Sequence, residues 1–274
     1  MSSPDPTGTA LTGTALTGIA LTEADDDEPT ADPPPEVQPL LTPRDGPVDP
    51  IVGRAELERL AGRLAAVANP GPIALDAERA SGFRYSARAY LVQLRRADTG
   101  SALIDPIPLG GDLSVLTEPL ARSEWVLHAA TQDLACLAEI GLRPKRLFDT
   151  ELAGRLAGFD RVGLASLVER MLGLGLVKGH GAADWSQRPL PAAWLNYAAL
   201  DVEVLLELRD AMAEELERQG KTEWAAQEFA ALVDFTGPTP RAEPWRRTSG
   251  IHRMRDARKL AIVRELWTAR DTYA

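Results

Sequence analysis

The chain has 274 residues, 45% hydrophobic and 26% charged, enough for one ample core or two domains, and no apolar run reaches the ~20 residues of a membrane span. A net charge of −10 spread evenly would exclude a nucleic-acid partner, but residues 1–50 hold ten acids against one base, Arg44, while residues 240–274 hold nine bases against four acids. The globular part is near neutral with a basic C-terminal end, which is compatible with a phosphate backbone as ligand. The single cysteine, Cys136, excludes an internal disulfide and a cysteine-based metal cluster. With no secretory signal visible, the cytoplasm is the expected location.

Residues 1–50 carry ten of the 21 prolines, the acid run Asp25-Asp26-Asp27-Glu28 and a five-residue repeat at 7–11, 12–16 and 17–21. Such a segment buries too little apolar surface to offset its ordering entropy, and the expectation is a disordered acidic tail. Order is predicted to begin near Ile51, with an amphipathic helix over 54–67. Strands follow at 72–76, 89–95 and 101–104, an antiparallel meander by connection length. Next come a helix at 112–121, a strand at 125–129, a helix at 131–140 and a short strand at Leu147-Phe148. Helices at 149–158 and 163–172, a Gly-rich loop at 173–190, a long helical region at 191–218 and a helix at 222–234 complete the domain. Strands and helices in this order give an α/β fold, a mixed sheet flanked by helices with an all-helical C-terminal extension. The expected domain spans 51–236, followed by a linker and helix over 237–274.

Three segments place acids at the ends of apolar elements. In Pro72-Ile73-Ala74-Leu75-Asp76-Ala77-Glu78 an apolar strand runs into two carboxylates at i, i+2, which an extended backbone projects on one face. Trp125-Val126-Leu127-His128-Ala129-Ala130-Thr131-Gln132-Asp133 repeats that logic, with an acid opening the next helix. In Tyr197-Ala198-Ala199-Leu200-Asp201, helical i, i+4 spacing sets a phenol beside a carboxylate. Taken singly, each has a plainer reading: a strand ending in a solvated turn, an acid at a positive helix end, a tyrosine packed in the core. The combination is far more specific.

In this order and at these separations, Asp76-x-Glu78, Asp133 and Tyr197-x-x-x-Asp201 resemble the DEDD exonucleases of the tyrosine-containing subgroup, and within it the ribonuclease D family. The resemblance extends to Leu127-His128, Gln132-Asp133-Leu134, Leu147-Phe148-Asp149-Thr150, Gly163-Leu164-Ala165-Ser166-Leu167-Val168 and Asp184-Trp185-Ser186-Gln187-Arg188-Pro189-Leu190, covering roughly 70–270. It implies a ribonuclease H-like fold with a five-stranded mixed sheet, removal of nucleotides from RNA 3′ ends, typically in transfer RNA 3′ maturation, and a C-terminal HRDC domain of which 242–274 holds only the first helix.

Four convergent carboxylates, Asp76, Glu78, Asp133 and Asp201, suit two divalent cations, Mg²⁺ or Mn²⁺, and hydrolysis of a phosphodiester. Tyr197, with an ordinary pKa of about 10, is expected to orient the attacking water. His128 and Gln132 are candidate contacts to the terminal nucleotide, and Trp185 and Arg188 candidates for base stacking and phosphate binding; a hydrogen-bonded structural histidine and a loop pinned by a buried tryptophan are the plainer alternatives. RNA is the expected partner, with no membrane. A DNA-directed exonuclease of the same site and a non-catalytic RNA-binding module are the competing functions. No G-x-x-x-x-G-K-[ST] and no G-x-G-x-x-G after a strand is present, so no nucleotide cofactor is expected.

Overall fold

The structure, a computed structural model, describes residues 37–177, 179–239 and 241–273. The expected repeat at 7–21 lies outside the described residues. Within them, the strands are β1 (Gln38–Leu40), β2 (Pro50–Ile51), β3 (Ile73–Arg79), β4 (Ala89–Arg96), β5 (Gly100–Ile104), β6 (Trp125–Leu127), β7 (Leu147–Asp149) and β8 (Leu174–Leu176). The helices are α1 (Arg54–Ala66), α2 (Thr117–Ala121), α3 (Leu134–Glu139), α4 (Thr150–Leu156), α5 (Leu164–Leu172), α6 (Ala192–Glu203), α7 (Leu205–Arg218), α8 (Thr222–Val233) and α9 (Ala257–Tyr273). None of these helices is long and apolar enough to cross a membrane.

The main sheet has the order β2-β5-β4-β3-β6-β7. β3, β4 and β5 form the expected antiparallel meander, and β6 and β7 extend it in parallel. The expected five strands become six. β2 pairs in parallel with β5 through Pro50 and Ile51 alone, and two residues carry no period for a sequence reading to detect. Strands β1 and β8 form a separate parallel pair.

The predicted start of order near Ile51 is corrected by the same pairings. Residues 37–50 are built onto the domain: Asn196 Nδ2 donates to the Leu41 carbonyl at 2.9 Å, Arg44 binds Glu207 and lies 3.8 Å from Glu203, and Arg95 Nη1 reaches Asp45 at 2.8 Å. All of these partners are far away in sequence, so local composition gave no sign of them.

Alternation along β3 and β4 decides which residues face which layer. Ile73, Leu75, Val92 and Leu94 pack with Leu57, Leu60 and Leu64 of α1. On the opposite face Leu91 and Leu103 pack with Ala198 and Ala199 of α6, and Asp76 lies beside Gln93 in register. Asp76 and Glu78 therefore look toward α6. The long helix expected over 191–218 breaks at Val204, whose backbone leaves helical pairing at φ −101°. The break lets α6 lie across β3, β4 and β5 while α7 packs on α4, α5 and β6.

Candidate active site

β3 outruns its neighbour: it pairs with β6 only at Ile73 and Ala74, so its acidic end projects into a cleft of about 520 Å³ lined also by His128, Gln132, Asp133, Tyr197 and Asp201. Asp76, Glu78 and Asp201 each offer a carboxylate oxygen, and the three atoms lie within 4.8 Å of one another. Asp133 stands one step aside, in hydrogen-bond contact with Asp76 and 3.7 Å from the Arg79 guanidinium. Tyr197 stands one helical turn before Asp201 and lines the same cleft. All four acids and the phenol singled out by spacing thus line one cleft.

Their electrostatics are those of acids lacking a counter-ion. Burial, followed by repulsion from Asp76, Asp201 and Asp133, pushes the Glu78 carboxyl up to about 10. Burial also raises Asp76, Asp133 and Asp201, with Asp76 adding repulsion at the latter two. Tyr197 is driven above the ordinary phenol range by burial and by Asp201 and Glu78. Among the described residues, no Lys or Arg pairs within 4.0 Å with Asp76, Glu78 or Asp201; Arg79 serves Asp133. A dense set of hard oxygen donors fits a divalent metal ion.

Several supporting residues went unassigned in the sequence. Asp149, buried at the end of β7, accepts from the backbone N–H groups of Ala129 and Ala130 at 3.0 and 2.9 Å and from those of Glu151 and Leu152. It therefore caps α4 and also holds Ala129 in a left-handed conformation at φ 59°, the turn that delivers Gln132 and Asp133. Instead of one helix over 131–140, that turn is a 3-10 segment, Ala130–Gln132, leading into α3. Gln93, fully buried on β4, donates Nε2 to Glu78 Oε1 at 3.4 Å. Arg79 follows Glu78 directly, and its proximity to the acids was the signal available.

The sequence profile of a 3′-5′ exonuclease family matches residues 50–217. The chain belongs to that 3′-5′ exonuclease family. Over 225 residues the chain is 36% identical to a ribonuclease D from Jannaschia sp. (strain CCS1), covering 79% of the chain and 58% of the relative. It thus spans little more than half the length of the curated relative it matches. Among solved structures it resembles a protein from Bifidobacterium adolescentis, with TM-score 0.82 and 46% identity over 86% of this chain and 58% of that one. It also resembles Escherichia coli RNase D, an exoribonuclease involved in structured RNA processing, with TM-score 0.61 and 27% identity over 82% of this chain and 61% of that one.

The four residues expected to contact the nucleotide lie in two different settings. His128 and Gln132 line the cleft, His128 Nδ1 lying 2.9 Å from Thr150 Oγ1 and Gln132 Oε1 accepting from Arg79 at 3.2 Å. Trp185 and Arg188 are corrections. Trp185 is fully buried, packs on Trp194 with ring centroids 5.3 Å apart and donates Nε1 to the His180 carbonyl, so no base can reach its face. Arg188 forks onto buried Asp105 at 2.5 and 2.7 Å and donates to the Tyr90, Trp185 and Gln187 carbonyls. Its donors are spent on pinning the loop, which leaves none to bind phosphate.

Proposed function

We propose that this chain is a metal-dependent 3′-5′ exoribonuclease that releases nucleoside monophosphates from RNA 3′ ends, with transfer RNA 3′ maturation as its task in the cytoplasm. The observation that carries the reading is the approach of Asp76, Glu78 and Asp201 to within 4.8 Å of one another, with Tyr197 and Asp133 at its edges. We assign Asp76, Glu78, Asp133 and Asp201 to holding two divalent cations, Mg²⁺ or Mn²⁺. Such a pair, when bound, supplies Lewis acidity at the scissile phosphate and eases deprotonation of the attacking water.

The residues themselves handle orientation. Tyr197, protonated throughout neutral pH because its pKa is raised, is a donor and acceptor that positions the water instead of a base that takes its proton. The Thr150 hydroxyl donates to the Leu127 carbonyl at 3.2 Å, so at His128 Nδ1 it accepts, which fixes the Nδ1–H tautomer. Burial lowers the His128 pKa, keeping the ring neutral, and Nε2 is left as an acceptor suited to a terminal ribose hydroxyl. Gln132, tied to Arg79, borders the same space. By the resemblance of 242–274 to an HRDC entry, α9 is the first helix of that module.

A time course on matched 3′-labelled RNA and DNA with Mg²⁺ or Mn²⁺ tests the reading. Mononucleotide release from RNA and not from DNA is expected, and chelation is expected to stop it. Undiminished activity in chelator removes metals from the mechanism, and equal rates on both polymers remove the RNA assignment.

A further inference from the structure

α6 carries Tyr197 and Asp201, yet its own ends anchor it weakly. It opens at Pro191 without a side-chain cap, and at Val204 the backbone leaves helical pairing, so the direction of α7 does not fix that of α6. Residues 38–45, ahead of the main sheet in sequence, tie down both ends. Asn196, one residue before Tyr197, donates Nδ2 to the Leu41 carbonyl at 2.9 Å. Arg44, the lone base among residues 1–50, spans the break. Its backbone N–H reaches Oε1 of Glu203, the last residue of α6, at 3.4 Å, and its guanidinium binds Glu207 in the first turn of α7. The same segment also holds the loop that Tyr197 abuts. β1 pairs with β8 from Gln38 and Leu174 to Leu40 and Leu176, and Gln38 N donates to the Gly173 carbonyl at 2.8 Å. Leu176 and Val177 line the cleft. Farther along, the His180 ring stands edge-on to Tyr197 with centroids 5.7 Å apart, and a Cβ on Gly181 would lie 3.4 Å from Tyr197 Oη.

We propose that Asn196 and Arg44 are positioning residues for the hydrolysis: through them residues 38–45 hold α6 at the tilt that keeps the Tyr197 hydroxyl in the cleft beside Gly181. The assignment rests on the nuclease reading above. Neither Asn196 nor Arg44 is among the residues lining the cleft, so each acts through α6 and not on the substrate. With either bond lost, α6 is free to shift about Val204, and a displacement of about 1 Å at a group that orients a reactant can cost up to about 10²-fold in rate. Glu203→Gln keeps an oxygen for the Arg44 N–H and leaves the bracing in place.

Asn196→Leu and Arg44→Met each delete the side-chain donor and keep its bulk. Oligoribonucleotide hydrolysis with Mg²⁺, measured for each variant in the wild-type and Tyr197→Phe backgrounds, forms a double-mutant cycle. The expected result is a fall of about fivefold in kcat with KM unchanged, shrinking to less than about twofold once the Tyr197 hydroxyl is already gone. A fall of the same size in both backgrounds overturns the proposal, because a loss of structure alone would not depend on that hydroxyl; so does an unchanged kcat in both variants. Asn196→Leu removes one partly exposed hydrogen bond, so the test stands on it alone should Arg44→Met fail to fold. Hydrogen exchange of the metal-free protein reads the bracing without any activity. The α6 amides are expected to exchange about tenfold faster in each variant, with those of α5 unchanged, and wild-type protection of α6 in both variants also overturns the proposal. If the wild-type protein releases no nucleotide, the nuclease reading itself fails, a result that the exchange measurement keeps separate from failure of the bracing.

Discussion

Two acids stand two residues apart on α6 and are treated in opposite ways by the fold. Glu203 is fully buried, with Arg95 at 3.3 Å and Arg44 at 3.8 Å. Asp201 faces Asp76 and Glu78, and burial and repulsion lift its pKa well above the ordinary carboxylate range. Among the described residues, the fold thus sets two arginines against one buried acid of this helix and none within 4.0 Å of the other. An unpaired acid cluster is a cost to the apo fold, and it makes sense as the half of an interaction that a cation completes.

The sharpest way to break this contrast is to neutralise each acid in turn. Asp201→Asn removes repulsion, so the metal-free protein should be at least as stable as wild type while oligonucleotide hydrolysis falls by about 10³-fold. Glu203→Gln should do the reverse, leaving Arg95 and Arg44 facing a neutral amide, with a loss of about 3 kcal/mol in denaturant unfolding and turnover per folded molecule retained. Equal stability losses in the two variants would abolish the distinction between them. Next in size is Tyr197→Phe, which keeps the ring and removes the hydroxyl from the cleft that Asp201 also lines. A fall of about 10²-fold in kcat, with cation affinity by calorimetry unchanged, is expected; a matching loss of affinity would make Tyr197 part of the metal site. Smaller still is Gln93→Leu, which deletes the donor to Glu78 Oε1 and should weaken cation binding about tenfold, a loss that Gln93→Asn is not expected to rescue because its amide is one methylene short.

The same contrast explains what could be read from the sequence. Asp76-x-Glu78 and Tyr197-x-x-x-Asp201 announce themselves because strand and helix periods are local, and a motif written in those periods survives without a structure. Glu203 gave no such signal, since its partners Arg95 and Arg44 lie on β4 and in the segment before β2. Trp185 and Arg188 were misjudged for a related reason. An aromatic and an arginine in a Gly-rich loop have the composition of a nucleic-acid contact, but Asp105, which engages the arginine, and Trp194, which packs on the tryptophan, lie outside that loop.

The subtlest expected difference between the two kinds of acid is in pH dependence. Glu78 has a folded pKa of about 10 against an ordinary 4.5, and Asp76, Asp133 and Asp201 are shifted in the same direction. Between those limits the folded state holds more protons than the unfolded one, so stability falls as pH rises. The contribution is complete below the unfolded value and is lost on the way to the folded one. In chelator, the melting temperature should therefore decline steadily from about pH 5.5 to about pH 9, a range in which ordinary surface acids are already ionised. Mg²⁺ or Mn²⁺ stabilises the charged carboxylates and draws their folded pKa values back down, so the decline should flatten when either ion is added. In Asp201→Asn the chelator curve should also be shallower, whereas Glu203→Gln should lower the whole curve without changing its slope. A melting temperature that rises with pH in chelator, or a slope indifferent to cation, would mean that the cluster is already neutralised within the protein.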